Sequence, residues 1–205
     1  MNAPRPIGLI LAGGAGRRLG RVRKDQLRLG NIALLDRVRA ILEPGCAAVI
    51  VSTGADALFA ADLPNLPDDP AAVQGPAAGL LAGARWCTVQ FPGAPMVSVP
   101  VDSPFFPADF PIRAAALLAD GIGCVTGAYE GRDYPTSALW NPAALRQALE
   151  ALPHAPRGPR VRDIQQALGV RHLDYANLTP LNPFAGINTL PELLSRAREL
   201  DRRRN

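Results

Sequence analysis

Four short apolar runs, at residues 7–11, 48–51, 96–101 and 122–126, punctuate the chain. They are rich in β-branched residues and alternate little with polar ones, which is the pattern of strands buried on both faces. Between them the period changes. Leu34, Leu35, Val38, Ile41 and Leu42 recur at helical spacing, and Pro44–Gly45 stops that helix. Gly75–Pro76 opens a small, apolar helix over 77–86 with proline at its first position. Asn141–Pro142 opens another with asparagine as cap, and Thr189 followed by Glu192 spells a capping box for a C-terminal helix. Strands alternating with helices imply right-handed crossovers, so the expected fold is α/β, a doubly wound, mainly parallel sheet flanked by helices. The proline-rich stretches 61–75 and 153–159 separate no change of composition and read as loops of one domain, residues 1–205.

Composition narrows the class. Hydrophobic residues are 48% and charged residues 20% of 205, ordinary values for a globular chain with one sizeable core. No apolar run approaches the roughly 20 residues of a membrane span, and the glycine and arginine cluster after Ala12 does not supply a signal cleavage site, so export is not expected. Cys46, Cys87 and Cys124 are isolated, with no paired metal-ligand spacing, which predicts a reducing, cytoplasmic setting. The net charge of +4 is concentrated at 17–28 and in Arg202–Arg204. Aromatic residues are only 5% and do not interleave with the basic ones, so a nucleic-acid partner is not expected.

The chemistry gathers first at IGLILAGGAGRRLGRVRKD, residues 7–25. Ligands of α/β sheets sit beyond the carboxyl ends of strands. Glycines at such an end let backbone N–H groups approach phosphate oxygens, and arginine and lysine add charge-assisted hydrogen bonds. A polyphosphate is the expected occupant. No lysine here is followed by Ser or Thr, which excludes a Walker A loop, and Gly14-Ala15-Gly16-Arg17-Arg18-Leu19 lacks the third glycine of the dinucleotide fingerprint.

LAGGAGRRLG followed by Lys24 resembles the LAGGxxxRMG-plus-lysine signature of nucleotidyltransferases, and within them the molybdenum cofactor guanylyltransferase family. Further along, Gly75–Gly79 is similar to that family's GPLAG, Pro100–Pro104 to its CDTP, Tyr134-Pro135-Thr136 to its HPT, and Phe184–Thr189 to its FVNVNT. The resemblance implies a Mg²⁺-dependent enzyme that transfers GMP from GTP to molybdopterin and releases pyrophosphate. Its N-terminal part would bind the nucleotide and its C-terminal part the acceptor. Molybdenum-insertion proteins or molybdoenzyme apoproteins would be onward partners, with no nucleic acid and no membrane. The alternatives are transfer from CTP, a sugar-phosphate acceptor, or a non-catalytic nucleotide- or cofactor-binding protein on the same scaffold.

Asp102 ends an apolar strand, where a lone carboxylate suits Mg²⁺, with a cap of the next helix as the lesser alternative; the resemblance makes it the metal ligand. Arg18 and Lys24 would take up charge on departing pyrophosphate. Leu11, Ala12, Gly13 and Gly14 offer backbone contacts to the nucleotide, with Gly75 and Gly79 beside them. Asp68 would contact the nucleoside, with Asp69 as its alternative, and Ser52 stands where the family carries asparagine. On the acceptor side the resemblance selects Arg160 and Asn188. Gly186 replaces the first asparagine of FVNVNT, and Asn182 is the amide that could stand in for it. An acceptor phosphate, with a second pKa of about 6, is already largely ionised, so no general base is required and His154 and His172 are read as structural or surface residues.

Overall fold

A computed structural model of the chain describes residues 4–13, 27–54, 62–69, 73–118, 121–153, 158–189, 191–195 and 197. Strand β1 (Ile7–Leu11) is followed by a two-residue hairpin, β2 (Arg28–Leu29) and β3 (Ile32–Ala33). That hairpin turns through Gly30 and Asn31, both at positive φ as a tight primed turn requires. Helix α1 (Leu34–Leu42) leads to β4 (Ala48–Gly54), β5 (Asn65–Pro67) and α2 (Pro76–Gln90). Then come β6 (Met96–Pro100), α3 (Phe110–Ala115), the hairpin β7 (Cys124–Tyr129) and β8 (Arg132–Trp140), α4 (Pro142–Glu150), α5 (Val161–Leu168) and β9 (Val170–Asp174). Seven strands form one sheet in the order β5-β4-β1-β6-β8-β7-β9. All pairings are parallel except those of β8, which runs against both its neighbours.

Side chains alternate to the two faces and make two cores. Ile10, Val51, Val97 and Val99 pack with α1, α3 and a cluster of aromatic rings, while Ile7, Leu9, Ile50 and Met96 pack under α2, α4 and α5. Burial on both faces is what the weak alternation of the apolar runs encodes. Helix α2 follows the opening at Pro76 but extends beyond 86 to Gln90. The Asn141 side chain accepts from the N–H groups of Ala143 and Ala144 as a cap of α4. The capping box also forms: Glu192 accepts from Thr189 N–H at 2.9 Å and its own N–H donates to Thr189 Oγ1, starting the helical residues 191–195.

Three departures matter. The stretch 61–75 is not all loop, because Asn65–Pro67 pairs with β4 on one side only, an edge position where flanking prolines are tolerated. β4 itself runs past Val51 to Gly54, carrying polar Ser52 and Thr53 into the sheet. Asp102 does not cap a helix, since the next one starts only at Phe110. Among the described residues no helix is long and apolar enough to cross a membrane.

Candidate active site

Because β4, β1 and β6 are parallel, their carboxyl ends meet on one edge, with Leu11 in register between Ser52 and Pro100. The ladder continues past the strands: Ala12 N–H donates to the Ser52 carbonyl at 2.8 Å, and Val101 N–H to that of Leu11 at 3.0 Å. Gly13 then runs so near β4 that a Cβ there would lie 3.2 Å from Gly54 N. Leu11, Ala12 and Gly13 thus form a backbone floor at the sheet edge. Gly14, Arg18 and Lys24, with the other basic residues of that loop, lie outside the described residues.

One wall is built from α2 and the turn after β5. Gly75 precedes the helix at φ 72°, a left-handed conformation that disfavours any side chain. Gly79 lets the helix close on β4, since a Cβ there would fall 2.4 Å from Ser52 Oγ. Ser52 is 2% exposed, and its hydroxyl donates to Asp68 Oδ1 at 3.5 Å. The side chain therefore addresses Asp68 and α2 instead of open space. Asp68 is held from behind by its N–H to the Gly54 carbonyl at 3.0 Å. Burial pushes its carboxyl pKa up, and the Ser52 hydroxyl opposes that. Asp69, the alternative, is instead ion-paired at 3.1 Å with Arg85, which also binds Glu150.

The opposite wall starts where β6 ends. The turn at Val101–Asp102 is tied to the chain's C-terminal segment: Ile187 N–H donates to the Asp102 carbonyl at 2.8 Å, and Ser103 Oγ to that of Phe184 at 3.4 Å. A Cβ on Gly186 would lie 3.0 Å from Asp102 Oδ1 and 3.4 Å from Asn188 Nδ2, so Asp102, Gly186 and Asn188 share one spot. Asn182 does not supply the missing amide there. It donates to the Tyr134 hydroxyl at 2.5 Å and accepts from Phe184 N–H at 3.0 Å, which fastens this loop to β8. Among the described residues no three His, Cys, Asp or Glu side chains cluster as a metal cage. A single half-buried carboxylate at a sheet edge fits Mg²⁺, which completes its shell with water and substrate oxygens, and does not fit a structural zinc site.

The turn at residues 158–160 joins the same region. A Cβ on Gly158 would come within 1.7 Å of the Gln74 carbonyl oxygen, so this turn lies against the chain just before Gly75. Arg160, exposed, lies two residues beyond that contact, at the amino end of α5. Gln165 on α5 was not singled out by the sequence; it is buried and donates to the Pro135 carbonyl at 3.0 Å, bracing the start of β8. Its signal was a lone polar residue on an otherwise apolar face with Val161, Ile164 and Leu168. His172 faces Asp133 at 2.8 Å on β9, a surface pair, and His154 lies outside the described residues.

A doubly wound sheet with a half-buried aspartate after β5 and another carboxylate after β6, both at its parallel strand ends, has the architecture that α/β proteins use to hold nucleotides. Comparison with known proteins carries this further. Residues 8–172 match the family model of the MobA-like NTP transferase domain. The chain is 38% identical over 187 residues, 90% of each chain, to the molybdenum cofactor guanylyltransferase of Acidiphilium cryptum. With that of Rhizobium meliloti it is 37% identical over 203 residues, 94% of this chain and 90% of the relative. The crystal structure of molybdopterin-guanine dinucleotide biosynthesis protein A from Archaeoglobus fulgidus shares the fold, with a TM-score of 0.72 at 19% identity, over 96% of this chain and 99% of that one. The chain belongs to the MobA-like NTP transferases, and within them to the molybdenum cofactor guanylyltransferase family.

Proposed function

We propose that the protein transfers GMP from GTP to molybdopterin, forming the guanine dinucleotide cofactor and releasing pyrophosphate. The observation that supports it best is the convergence of Leu11, Gly13, Asp68, Gly79 and Asp102 on one sheet edge, in a chain that resembles guanylyltransferases over 90% of its length. The backbones of Leu11 to Gly14 cradle the nucleotide, and Gly75 and Gly79 allow the close approach of α2. Asp68, backed by Ser52, accepts from the guanine N1 and N2 donors or a ribose hydroxyl. Arg18 and Lys24 bind the β and γ phosphates and stabilise the charge that develops on the leaving group.

Asp102 holds Mg²⁺. The chemistry such an ion would supply is neutralisation of phosphate charge. Arg160 and Asn188 orient the pterin phosphate for in-line attack on the α-phosphorus, and the ionised acceptor needs no base from the protein. The buried, unpaired cysteines suit a reducing cytoplasm. Residues 1–205 act as one domain, the first half reading the nucleotide and the second the acceptor, and the product passes to molybdenum-insertion proteins or molybdoenzyme apoproteins.

The test is pyrophosphate release with molybdopterin, Mg²⁺ and each nucleoside triphosphate in turn. Release from GTP alone is expected, and Asp102→Asn should lower it at least roughly a hundredfold with an unchanged melting temperature. Exclusive use of CTP, or full turnover by that variant, overturns the assignment.

A further inference from the structure

We propose that Gln165 is a positioning residue for the acceptor substrate: its buried side-chain amide sets helix α5, and with it Arg160, against a bulge at the start of β8. The inference rests on the acceptor role given to Arg160 above. The bulge is where β8 leaves its ladders. Thr126 of β7 stands opposite Ala138, yet the next residue, Gly127, stands opposite Tyr134, so Pro135, Thr136 and Ser137 have no counterpart on that strand. On the other flank the pairing with β6 ends at Ser98 and Ala138. A buried backbone that leaves its ladder must find other partners for its carbonyl groups. Here three consecutive carbonyls are met by buried side chains from three elements. Thr126 Oγ1 donates to that of Tyr134 at 3.3 Å, Gln165 Nε2 to that of Pro135 at 3.0 Å, and Ser98 Oγ to that of Thr136 at 2.8 Å.

The three bonds are not equivalent. Thr126 and Ser98 belong to the neighbouring strands and fasten the bulge to the sheet; Ser98 is itself held by Trp140 Nε1 at 2.8 Å. Gln165 alone of the three reaches the bulge from a helix. Helix α5 buries Val161 and Ile164 against the core, and such apolar contacts oppose separation without fixing where along the sheet the helix stands. Arg160 is its N-cap and makes no side-chain capping bond. Upstream the chain is pinned where Gly158 lies against the Gln74 carbonyl, and downstream the Gln165 amide supplies a directional bond, with Arg160 between the two. Without that amide the Pro135 carbonyl loses its donor and the first turn of α5 is free to slide, displacing Arg160 relative to the strand ends. Tyr134, at the head of the bulge, is bonded to Asn182 of the loop that leads to Asn188. One bulge thus gives both acceptor residues a common reference.

Pyrophosphate release by the full chain, with GTP and molybdopterin each varied in turn, tests this. Gln165→Met keeps the volume and removes the donor. It should raise the molybdopterin KM roughly ten- to a hundredfold, the effect of displacing a positioning group by about 1 Å, and leave the GTP KM unchanged. A merely structural role would lower the melting temperature and the active fraction without separating the two constants. Arg160→Ala should raise the molybdopterin KM by itself, and Gln165→Met should add nothing in that background, because it acts through Arg160. If the methionine variant fails to fold, Gln165→Asn, too short to reach the carbonyl, decides. A molybdopterin KM that Gln165→Met leaves unmoved, raises together with the GTP KM, or raises as much without Arg160 as with it overturns the positioning role while the transfer reaction stands. An unaltered molybdopterin KM in Arg160→Ala removes the premise and this proposal with it, and no release by the wild type from GTP and molybdopterin overturns the proposed function itself.

Discussion

Asp68 is held half-buried at a cost in stability. Burial raises its carboxyl pKa, so the ionised form is penalised in the folded chain, and the penalty is absent below the unfolded pKa and grows as pH rises through the folded one. Asp68→Asn should therefore melt at a higher temperature than the wild type at neutral pH, with the gain vanishing in acid. The same change should weaken GTP binding roughly ten- to hundredfold, the worth of hydrogen bonds to a charged acceptor. Melting curves at two pH values and a GTP titration check both signs. Asp102 was legible in the sequence because it ends a recognisable apolar strand, whereas Asp68 was selected by the family resemblance. Their surroundings were not: the contact of Gly186 with Asp102 and that of Ser52 with Gly79 join residues far apart in the chain, and no local pattern records such an approach.

Helix α2 shows how an element carries a site. Its residues are apolar almost all round, and Gly79 and Gly83 form one stripe facing the sheet. A Cβ at Gly83 would fall 2.7 Å from Leu9 Cδ2 and 2.9 Å from Met96 Sδ, both side chains being fully buried. Gly83→Ala adds about 1 kcal/mol of helix propensity, but overpacking costs about 1–3 kcal/mol, so urea unfolding should show a net loss with GTP affinity intact. Gly79→Ala meets Ser52 instead and should lose stability and GTP affinity together. Elements with punctuation at their starts, α2 at Gly75–Pro76 and α4 at Asn141–Pro142, could be read from the chain. β5 could not, because a three-residue strand that itself ends on Pro67 has no period, and α3 was hidden by its shortness. The direction of β8 was equally invisible, since the alternation of a strand's side chains reads the same whichever way it runs.

Across the whole molecule the sheet isolates its interior. Cys46, Cys87 and Cys124 are buried as free thiols, and burial pushes each pKa up to about 12. A thiol reagent should therefore leave the native protein unlabelled and modify all three cysteines once denaturant is added; rapid labelling under native conditions would mean that the layers part locally. The order of the strands has another outcome. β1 lies at the centre of the parallel set, yet Ile7 pairs with Ala48 on one flank and Met96 on the other. A ribosome that has not yet translated Met96–Pro100 presents an apolar ribbon with one unsatisfied hydrogen-bonding flank, open to self-association or to capture by a chaperone. Nearly half of the polypeptide is thus made before β1 can find its second partner and the floor at the strand ends can assemble.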